Sequence, residues 1–373
     1  MPIHRFAFPT AIHFGPGARK LVTAHLKEAG CRRPLVVTDK GIAAMPVLAE
    51  FVATLEGLEA GIFSGVQGNP VASQVRAGAG AYRAHGADSV IGFGGGAALD
   101  VAKAVALMAT HPGEVLEYAW DHLKLRPMDR ELPHFVALPT TAGTGSEVGR
   151  SSVISEDDTH VKRILFSPKL LARAVFADPE LTLGLPPAVT AATGMDALTH
   201  NIESYLSPAY HPLCDGIALE GVRIVSRALP SVCKNGKDIA ARADMLMGSM
   251  MGAIAFQKDL GAVHSCAHAL STVADLHHGL ANGVMIDHVM RFNRPAAEAK
   301  MAELARVAGV SDLISFLEKL KREIGIPAKL SELKIRKELF PRLVDIAFAD
   351  ICHQTNPRPC TKADFEALFA AAL

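Results

Sequence analysis

Residues 89–103 read SVIGFGGGAALDVAK, a short apolar run that ends in glycines and leads directly into a helix-forming segment. Glycines at such a turn let the backbone approach a ligand closely, and the helix N-terminus offers unpaired N–H groups and a positive dipole end to a pyrophosphate. Gly92-x-Gly94-x-x-Ala97 also satisfies a loose dinucleotide-binding pattern. The stretch therefore predicts a strand–turn–helix unit with a phosphate site, and a glycine turn without a ligand is the alternative.

The same alternation of apolar runs and helical patterns extends on both sides, from residue 15 to residue 140. We predict strands in PLVVT before Asp39, in GIF around Ile62, in SVIGF from Ser89 and in FVAL from Phe135. Helical patterns lie between them, at residues 18–29, 43–55, 71–85 and 98–109. The runs are continuous rather than alternating, which is typical of strands covered by helices on both faces. The N-terminal half is therefore predicted to be a doubly wound, Rossmann-like α/β domain with a parallel sheet.

Two further segments close this half. SVIS, EDDT and HVKRILF, residues 152–166, are typical of a hairpin with a polar turn. AVFADPELTLGLPP, residues 174–187, is punctuated by prolines and is interpreted as the domain junction. We therefore place an α/β dinucleotide-binding domain at residues 1–183 and a second domain at residues 184–373.

The second domain is predicted to be all-helical. From Ala188 onward strand signals nearly vanish, and an apolar stripe at helical spacing includes Val222, Val225 and Leu229. A later helical pattern is broken at Gly309.

Composition and charge exclude several classes of function. Acidic and basic residues balance at 38 each, so the chain has no electrostatic footprint for nucleic acid or anionic lipid. The opening MPIHRFAFPTAIHFG lacks a signal-peptide pattern, and no window approaches the roughly twenty apolar residues of a membrane span. The six cysteines form no C-x-x-C pair, which argues against a disulfide framework or a zinc knuckle. We expect a cytoplasmic protein with neither a nucleic-acid nor a membrane partner.

The predicted helical domain carries a string of acids and imidazoles within GMDALTHNIES and GAVHSCAHALSTVADLHHG. Asp196 and His200 are one helical turn apart and share a face, as do His264 and His268, while His278 follows a non-periodic turn. One carboxylate oxygen and three imidazole nitrogens that converge suit Fe(II), Zn(II), Co(II) or Ni(II), whereas calcium and magnesium need mostly oxygens. The stretch therefore predicts a transition-metal site, with ordinary buried histidines as the alternative. We expect the first two helices of this domain to present the ligands.

These motifs also resemble a known family. GMDALTH, then G-x-V-H-x-x-A-H-x-L, then H-G-x-A-N-x-x-M are similar to the signature of the iron-containing (group III) alcohol dehydrogenases. The resemblance extends from Phe14-Gly15 to Asn356-Pro357-Arg358, nearly the whole chain. It implies four metal ligands, Asp196, His200, His264 and His278.

The same resemblance has implications for two more histidines. His268 is implied to be the unligated imidazole near the substrate and the nicotinamide, where it could relay the released proton. His277 stands where the family has proline, so it is the competing ligand beside His278.

The resemblance also implies a cofactor site in the N-terminal half. The glycine turn binds the pyrophosphate, an acid at the end of the first strand contacts the adenosine ribose, and LPTTAGTGSEVG lines the ribose and nicotinamide. Ala97 stands where the family commonly has serine, so one hydroxyl contact to phosphate is absent. The implied residues are Asp39, Asn69, Gly95, Gly96, Ala97, Thr140, Thr141, Thr144, Ser146 and Lys162.

The resulting hypothesis is a metal-dependent, NAD-linked alcohol dehydrogenase that interconverts a small alcohol with its aldehyde or ketone. The resemblance implies Fe²⁺, with Zn²⁺ as the alternative metal, and a homodimer. A hydroxy acid such as 4-hydroxybutyrate is a second substrate class, for which Arg150 could hold the carboxylate. A non-redox relative of the dehydroquinate synthase type is the third alternative.

Overall fold

The fold is that of a computed structural model that describes residue 8 and residues 10–373. Most of the N-terminal stretch on which the signal-peptide expectation depends lies outside the described residues. Within the described part the chain forms two compact units. One comprises residue 8, residues 10–141 and residues 146–182, and the other comprises residues 142–145 and 183–373.

Eight strands lie in the first unit: β1 (Ala11–Phe14), β2 (Pro34–Asp39), β3 (Gly61–Val66), β4 (Ser89–Gly94), β5 (His134–Pro139), β6 (Ser151–Ser155), β7 (Lys162–Phe166) and β8 (Ala174–Ala177). Six of them form one sheet in the order β1-β8-β5-β4-β2-β3, and every pairing in it is parallel. β6 and β7 form the predicted antiparallel hairpin. The parallel α/β fold predicted for this half is confirmed.

Five helices accompany the sheet: α1 (Val22–Glu28), α2 (Lys40–Ala43), α3 (Pro46–Ala53), α4 (Ala72–His85) and α5 (Gly96–Thr110). Side chains of α1 and α3 share a core with alternate residues of β2, β4 and β5, among them Val36, Ile91 and Val136. The opposite face of β4 meets α5, because a Cβ at Gly92 would lie 2.9 Å from Leu99. Helices therefore cover both faces, as the continuous apolar runs predicted.

Two strands were not predicted. β8 is the AVFA of the segment interpreted as a domain junction, and it lies inside the sheet between β1 and β5. The segment therefore begins with a buried strand, and the division between the two units, at Thr182 and Leu183, falls between the prolines that follow it. β1 is the other missed strand, a four-residue element at the sheet edge.

The strand order places a change of direction beside the glycine turn. From β2 the chain moves to β3 on one side, and β4 then pairs with β2 on the other side. In open parallel sheets, ligands bind beyond the carboxyl ends of the strands at such a switch point. The ends of β2, β4 and β5 are neighbours there.

The second unit contains eight helices: α6 (Pro187–Leu206), α7 (Pro212–Lys234), α8 (Ile239–Ala255), α9 (Ala262–Ala274), α10 (His278–Val307), α11 (Leu313–Glu323), α12 (Phe340–Ala349) and α13 (Lys362–Ala372). No strand lies in residues 183–373, all of which are described. The predicted break at Gly309 falls between α10 and α11, and that glycine has a φ of +74°. The all-helical prediction is confirmed.

Helix α6 lies at the centre of this unit and is almost entirely buried from Thr190 to Ser204. Glycines on neighbouring helices let them approach it closely. A Cβ at Gly252 of α8 would lie 2.8 Å from the His200 Cβ, and one at Gly279 of α10 would lie 2.3 Å from the Ala192 carbonyl oxygen. Tight packing therefore fixes the backbone that carries Asp196 and His200.

The segment Ile239–Lys258 is long and apolar enough to cross a membrane by length and composition. The expectation that no window has this character is wrong for this segment. Most of it is α8, and 56% of its apolar window is buried inside the protein. Its composition is that of a core helix packed on α6 and α7.

Candidate metal and cofactor sites

One face of α6 carries three ionisable side chains, Asp196, His200 and Glu203, at successive helical turns. All three are buried, with 2–4% of each residue exposed. Buried charge is costly unless it is paired, so this face requires partners from other helices.

Those partners come from α9 and α10. The Oδ1 atom of Asp196 lies 3.9 Å from Nε2 of His200, 3.7 Å from Nε2 of His264 and 3.5 Å from Nε2 of His278. The His200 and His264 rings are stacked with centroids 4.6 Å apart. The structure thus brings together all four predicted ligands. They come from the first, fourth and fifth helices of the unit, so the expectation that the first two helices present them is wrong.

The two adjacent histidines at the start of α10 have different surroundings. His277 is exposed and is the N-cap of α10, and its Nδ1 accepts a hydrogen bond from the backbone N–H of Leu280 across 3.4 Å. His278 is the first residue of the helix and faces Asp196. Only the second of the pair is directed at the ligand cluster.

Glu203 was not singled out by the sequence analysis, and it connects α6 to α9. Its Oε2 lies 2.6 Å from Nδ1 of His264, and its Oε1 accepts the backbone N–H of Val263 across 2.7 Å. Oδ1 of Asn356 accepts the N–H of Ala262 in the same way. Side chains from outside α9 therefore satisfy its first free N–H groups, and the same carboxylate orients the His264 ring. The spacing Asp196, His200, Glu203 on one face is the signal that could have found it.

The electrostatics suit a ligand set. Burial lowers the pKa of His200 to about 4, although Asp196 favours its charged form. Burial also opposes charge on His264, but hydrogen bonds to Asp196 and Glu203 outweigh it and raise the pKa of His264 to about 9. Burial favours protonation of Asp196, yet the neighbouring imidazoles hold its pKa well below the usual range. At neutral pH Asp196 is a carboxylate and His200 a neutral imidazole, the forms in which they bind metals, whereas His264 carries a proton that a bound metal would displace.

Asn282 of α10, also missed, lies among these ligands. Its Nδ2 donates to Oδ1 of Asp196 across 2.7 Å and lies 3.4 Å from Nε2 of His264 and 3.3 Å from Nε2 of His278. The amide therefore helps to hold the carboxylate and two imidazoles at one point.

His268 lies beside this cluster without joining it. Its ring is stacked on that of His278 with centroids 5.1 Å apart, and its Nδ1 lies 2.7 Å from Oδ2 of Asp350. Asp350, another residue missed in the sequence, immediately follows α12. Cys266 is fully buried in the same helix.

In the α/β unit, the predicted ribose acid and the glycine turn are adjacent. Asp39 ends β2 and accepts the backbone N–H of Ile42 through Oδ1 across 2.9 Å, which caps α2. A Cβ at Gly94 would lie 3.3 Å from the Asp39 Oδ2, and Gly94 has a φ of +155°. One at Gly95 would lie 3.2 Å from the Thr141 hydroxyl. Side chains at these glycines would fill the space that the pyrophosphate of a dinucleotide needs.

Two buried hydroxyls flank the same strand ends. The Oγ1 atoms of Thr38 and Thr140 are buried and have no hydrogen-bond partner among the described residues. Such orphaned polar atoms are costly without a ligand or water to satisfy them. Thr38 at the end of β2 was missed because a threonine inside an apolar strand is ordinary in sequence.

Ser146 belongs to a network of buried hydrogen bonds. Its hydroxyl donates to Oδ1 of Asp100 across 2.6 Å and accepts from Nζ of Lys103 across 2.9 Å. The buried lysine also donates to the carbonyls of Gly149 and Ser151. This network fixes the loop that follows β5 against α5.

The remaining predicted cofactor residues have the following places. Asn69 lies between β3 and α4, Gly95 is the N-cap of α5, and Gly96 and Ala97 are its first residues. Lys162 opens β7 opposite Ser155. Thr144 belongs to the segment 142–145 of the helical unit. The structure therefore brings Asp39, Gly95, Thr140 and Thr141 to neighbouring strand ends.

Both sets of residues fit the groups expected of them. One carboxylate and three imidazoles that face one carboxylate oxygen at 3.5–3.9 Å are a suitable donor set for Fe²⁺ or Zn²⁺. The open glycine turn, the α5 N-terminus and the unsatisfied hydroxyls are a suitable cradle for a dinucleotide.

Comparison with known proteins agrees with this geometry. A family model described as iron-containing alcohol dehydrogenase matches residues 9–179, and one for the C-terminal part of the Fe-containing alcohol dehydrogenase family matches residues 190–373. The chain is 38% identical to the 4-hydroxybutyrate dehydrogenase of Cupriavidus necator, over 98% of both proteins.

Solved structures give the same result. The crystal structure of a 1,3-propanediol oxidoreductase is similar with a TM-score of 0.95 and 34% identity over the whole of both chains. The sulfoacetaldehyde reductase of Bifidobacterium kashiwanohense in complex with NAD⁺ is similar with a TM-score of 0.90 and 28% identity, over 100% of this chain and 99% of that one. The chain therefore belongs to the iron-containing alcohol dehydrogenase family and is an oxidoreductase.

Proposed function

We propose that this oxidoreductase is a metal-dependent, NAD-linked dehydrogenase that interconverts a small alcohol with its aldehyde or ketone. The observation that carries the proposal is the convergence of Asp196, His200, His264 and His278, with three Nε2 atoms 3.5–3.9 Å from one carboxylate oxygen. Family membership and a relative solved with NAD⁺ support the nicotinamide cofactor.

We assign the two parts of the reaction to the two units. Residues 1–183 would bind NAD through Asp39, Asn69, Gly95, Gly96, Ala97, Thr140, Thr141, Ser146 and Lys162. Residues 184–373 would hold the metal through the four ligands. Thr144, in the segment 142–145, would also contact NAD. Asp39 would accept hydrogen bonds from the adenosine ribose, and the N-terminus of α5 would bind the pyrophosphate.

When bound, the metal would supply Lewis-acid polarisation of the substrate oxygen, and NAD would supply hydride chemistry at its nicotinamide. The residues of the chain hold and order these groups. Glu203 fixes the orientation of the His264 ring, Asn282 orients the Asp196 carboxylate, and His268 accepts or returns the substrate proton.

A substrate panel tests the proposal. Protein stripped of metal and then loaded with Fe²⁺ or with Zn²⁺ should reduce NAD with short primary or secondary alcohols and diols, and the stripped protein should not. Absence of turnover with every alcohol, despite stoichiometric NAD and metal binding, would refute it and support a non-redox activity.

The hydroxy-acid alternative keeps one specific support, the 38% identity to a 4-hydroxybutyrate dehydrogenase. Arg150, the residue considered for the carboxylate, lies with its guanidinium 5.3 Å above the Phe166 ring in the hairpin region. Matched pairs of an alcohol and the ω-hydroxy acid of equal length separate the two substrate classes. Arg150→Ala should leave the ratio of their kcat/KM values unchanged if the arginine only packs on Phe166.

We also propose a cytoplasmic homodimer. The six cysteines are all free thiols, which agrees with a reducing compartment. The homodimer follows from the family resemblance. Light scattering should give about twice the chain mass of 39.5 kDa, and a monomer or a tetramer would contradict this assignment.

A further inference from the structure

Two imidazoles on α9 are held in the same way by carboxylates from other elements. Nδ1 of His264 lies 2.6 Å from Glu203, and Nδ1 of His268 lies 2.7 Å from Asp350. Because Nδ1 of each ring contacts a carboxylate, Nε2 is the nitrogen that each ring has left for another partner. For His264 that atom lies 3.7 Å from Oδ1 of Asp196, inside the ligand cluster.

The Asp350 carboxylate is built into its position. Its Oδ1 accepts the Ser265 hydroxyl across 2.8 Å and the backbone N–H of Cys352 across 2.9 Å, while Oδ2 faces His268. The Ser265 hydroxyl accepts in turn from the N–H of His353. The charged form is the stable one, because burial favours protonation of Asp350 but its contact with His268 and these hydrogen bonds outweigh it and hold its pKa well below the usual range.

An ionised carboxylate only accepts hydrogen bonds. The proton between Oδ2 of Asp350 and the imidazole therefore belongs to Nδ1 of His268. A neutral His268 in this tautomer has its lone pair on Nε2. Its ring is stacked on that of His278, with an interplanar angle of 21°, so the imidazole lies beside the ligand cluster.

We propose that Asp350 is a positioning residue that keeps His268 in the Nδ1–H tautomer, with Nε2 as the acceptor of the substrate proton. In oxidation the alcohol O–H bond breaks, its electron pair stays on oxygen, and the proton bonds to Nε2. The Nδ1–H group of His268 keeps donating to Asp350, whose charge stabilises the imidazolium. Reduction of the carbonyl returns the same proton. This assignment rests on the proposed function and adds a residue 82 positions away from the histidine it serves.

The tautomer is measured directly by ¹⁵N NMR of the Zn²⁺-loaded protein with labelled histidine, and the His268 signals are assigned by their loss in His268→Ala. Wild type should carry the proton on Nδ1. Asp350→Asn, whose amide can donate, should move it to Nε2, while Asp350→Glu should keep it on Nδ1. A wild-type protein protonated on Nε2 would overturn the proposal, whether or not any variant folds.

Kinetics give the second measurement. Asp350→Asn should lower kcat by about a hundredfold, the usual scale of a general acid–base contribution, with KM and bound metal unchanged. In the His268→Ala background it should cause no further loss. Asp345→Asn changes an exposed aspartate of α12 that is paired with Lys362; it is the matched control and should leave kcat unchanged.

An additional loss in the His268→Ala background, or a loss of metal that accounts for the fall in kcat, would make Asp350 a structural residue and overturn the proposal. The NMR result needs no turnover. A wild type inactive on every alcohol would therefore refute the proposed function, while the tautomer would still decide the role of Asp350.

Discussion

The carboxylate of Glu203 accepts a hydrogen bond from Nδ1 of His264 across 2.6 Å, and it also accepts the backbone N–H of Val263 at the start of α9. One buried side chain thus fixes both the position of the helix and the rotation of a metal ligand. Binding of a metal and docking of α9 onto α6 are consequently coupled through Glu203.

Glu203→Gln should weaken metal binding by about 10–100-fold, the range found when a residue that orients a ligand is replaced. Glutamine keeps one acceptor oxygen for two donors, the Val263 N–H and the His264 Nδ1–H, and its NH2 group can only donate. Titration of stripped protein with Zn²⁺ measures the change. Glu220→Gln, an exposed residue of α7 paired with Arg223, is the control, and equal affinity in all three proteins would show that Glu203 only caps α9.

Glu147 should make the protein less stable at alkaline pH. Burial raises the pKa of Glu147 from 4.5 to about 7, and its Oε1 has no hydrogen-bond partner among the described residues. Because the pKa of Glu147 is raised in the folded protein, the stability that depends on its protonation is fully present below about pH 4.5. That stability is lost as the pH rises through about 7.

Glu147→Gln should therefore increase the free energy of unfolding at pH 8.5 by about 3 kcal/mol, at about 1.4 kcal/mol per pH unit. At pH 4.5 it should change little. Urea unfolding at the two pH values, with exposed Glu50→Gln as control, provides the measurement. A gain of equal size at both values would mean that the charge of Glu147 is not the cause.

Two histidines of the α/β unit, His25 and His134, should make it acid-sensitive. The Nε2 atoms of His25 and His134 lie 2.9 Å apart, so one donates and the other must be neutral to accept. Burial lowers the pKa of both rings, His13 further opposes charge on His25, and Arg173 opposes it on His134, whereas Glu28 acts in the opposite direction.

Because these pKa values are lowered in the folded protein, the stability that depends on neutral imidazoles is fully present above about pH 6.5. That stability is lost as the pH falls further. His134→Gln keeps a polar end that cannot be protonated, so its thermal midpoint should fall less than that of wild type between pH 7 and pH 5. Exposed His122→Gln is the control. Parallel pH curves for wild type and His134→Gln would place the acid sensitivity elsewhere.

Asp39 should select NAD over NADP, because its carboxylate would repel the additional phosphate near the ribose. It also caps α2 through Ile42. Asp39→Asn keeps the cap, since asparagine is an equally good N-cap, and removes the charge. The ratio of kcat/KM for NADP to that for NAD should rise in the variant. An unchanged ratio with normal stability would place the adenosine ribose away from Asp39.

The sequence was most informative where the functional residues lie close together on one helix or one strand–turn–helix unit. Asp196 and His200 share a helix face, and a glycine turn between a strand and a helix needs no long-range information. Asp350 could not be identified in this way, because its partner His268 is 82 residues distant and only the packing of α12 on α9 brings them together. β8 was hidden because it has four residues and prolines follow it. Glu203 lay within reach of the same helix-face argument that selected Asp196.

The central claim is that four side chains, and not a neighbouring histidine, hold one divalent metal. His277 and His278 are consecutive, yet one caps α10 and the other faces Asp196. The metal content of His277→Ala and His278→Ala, each stripped and reloaded with Fe²⁺ or Zn²⁺, tests the claim most directly. His277→Ala should retain one metal per chain and wild-type NAD reduction, while His278→Ala should lose both. Equal metal content in the two variants, or loss only in His277→Ala, would contradict the account.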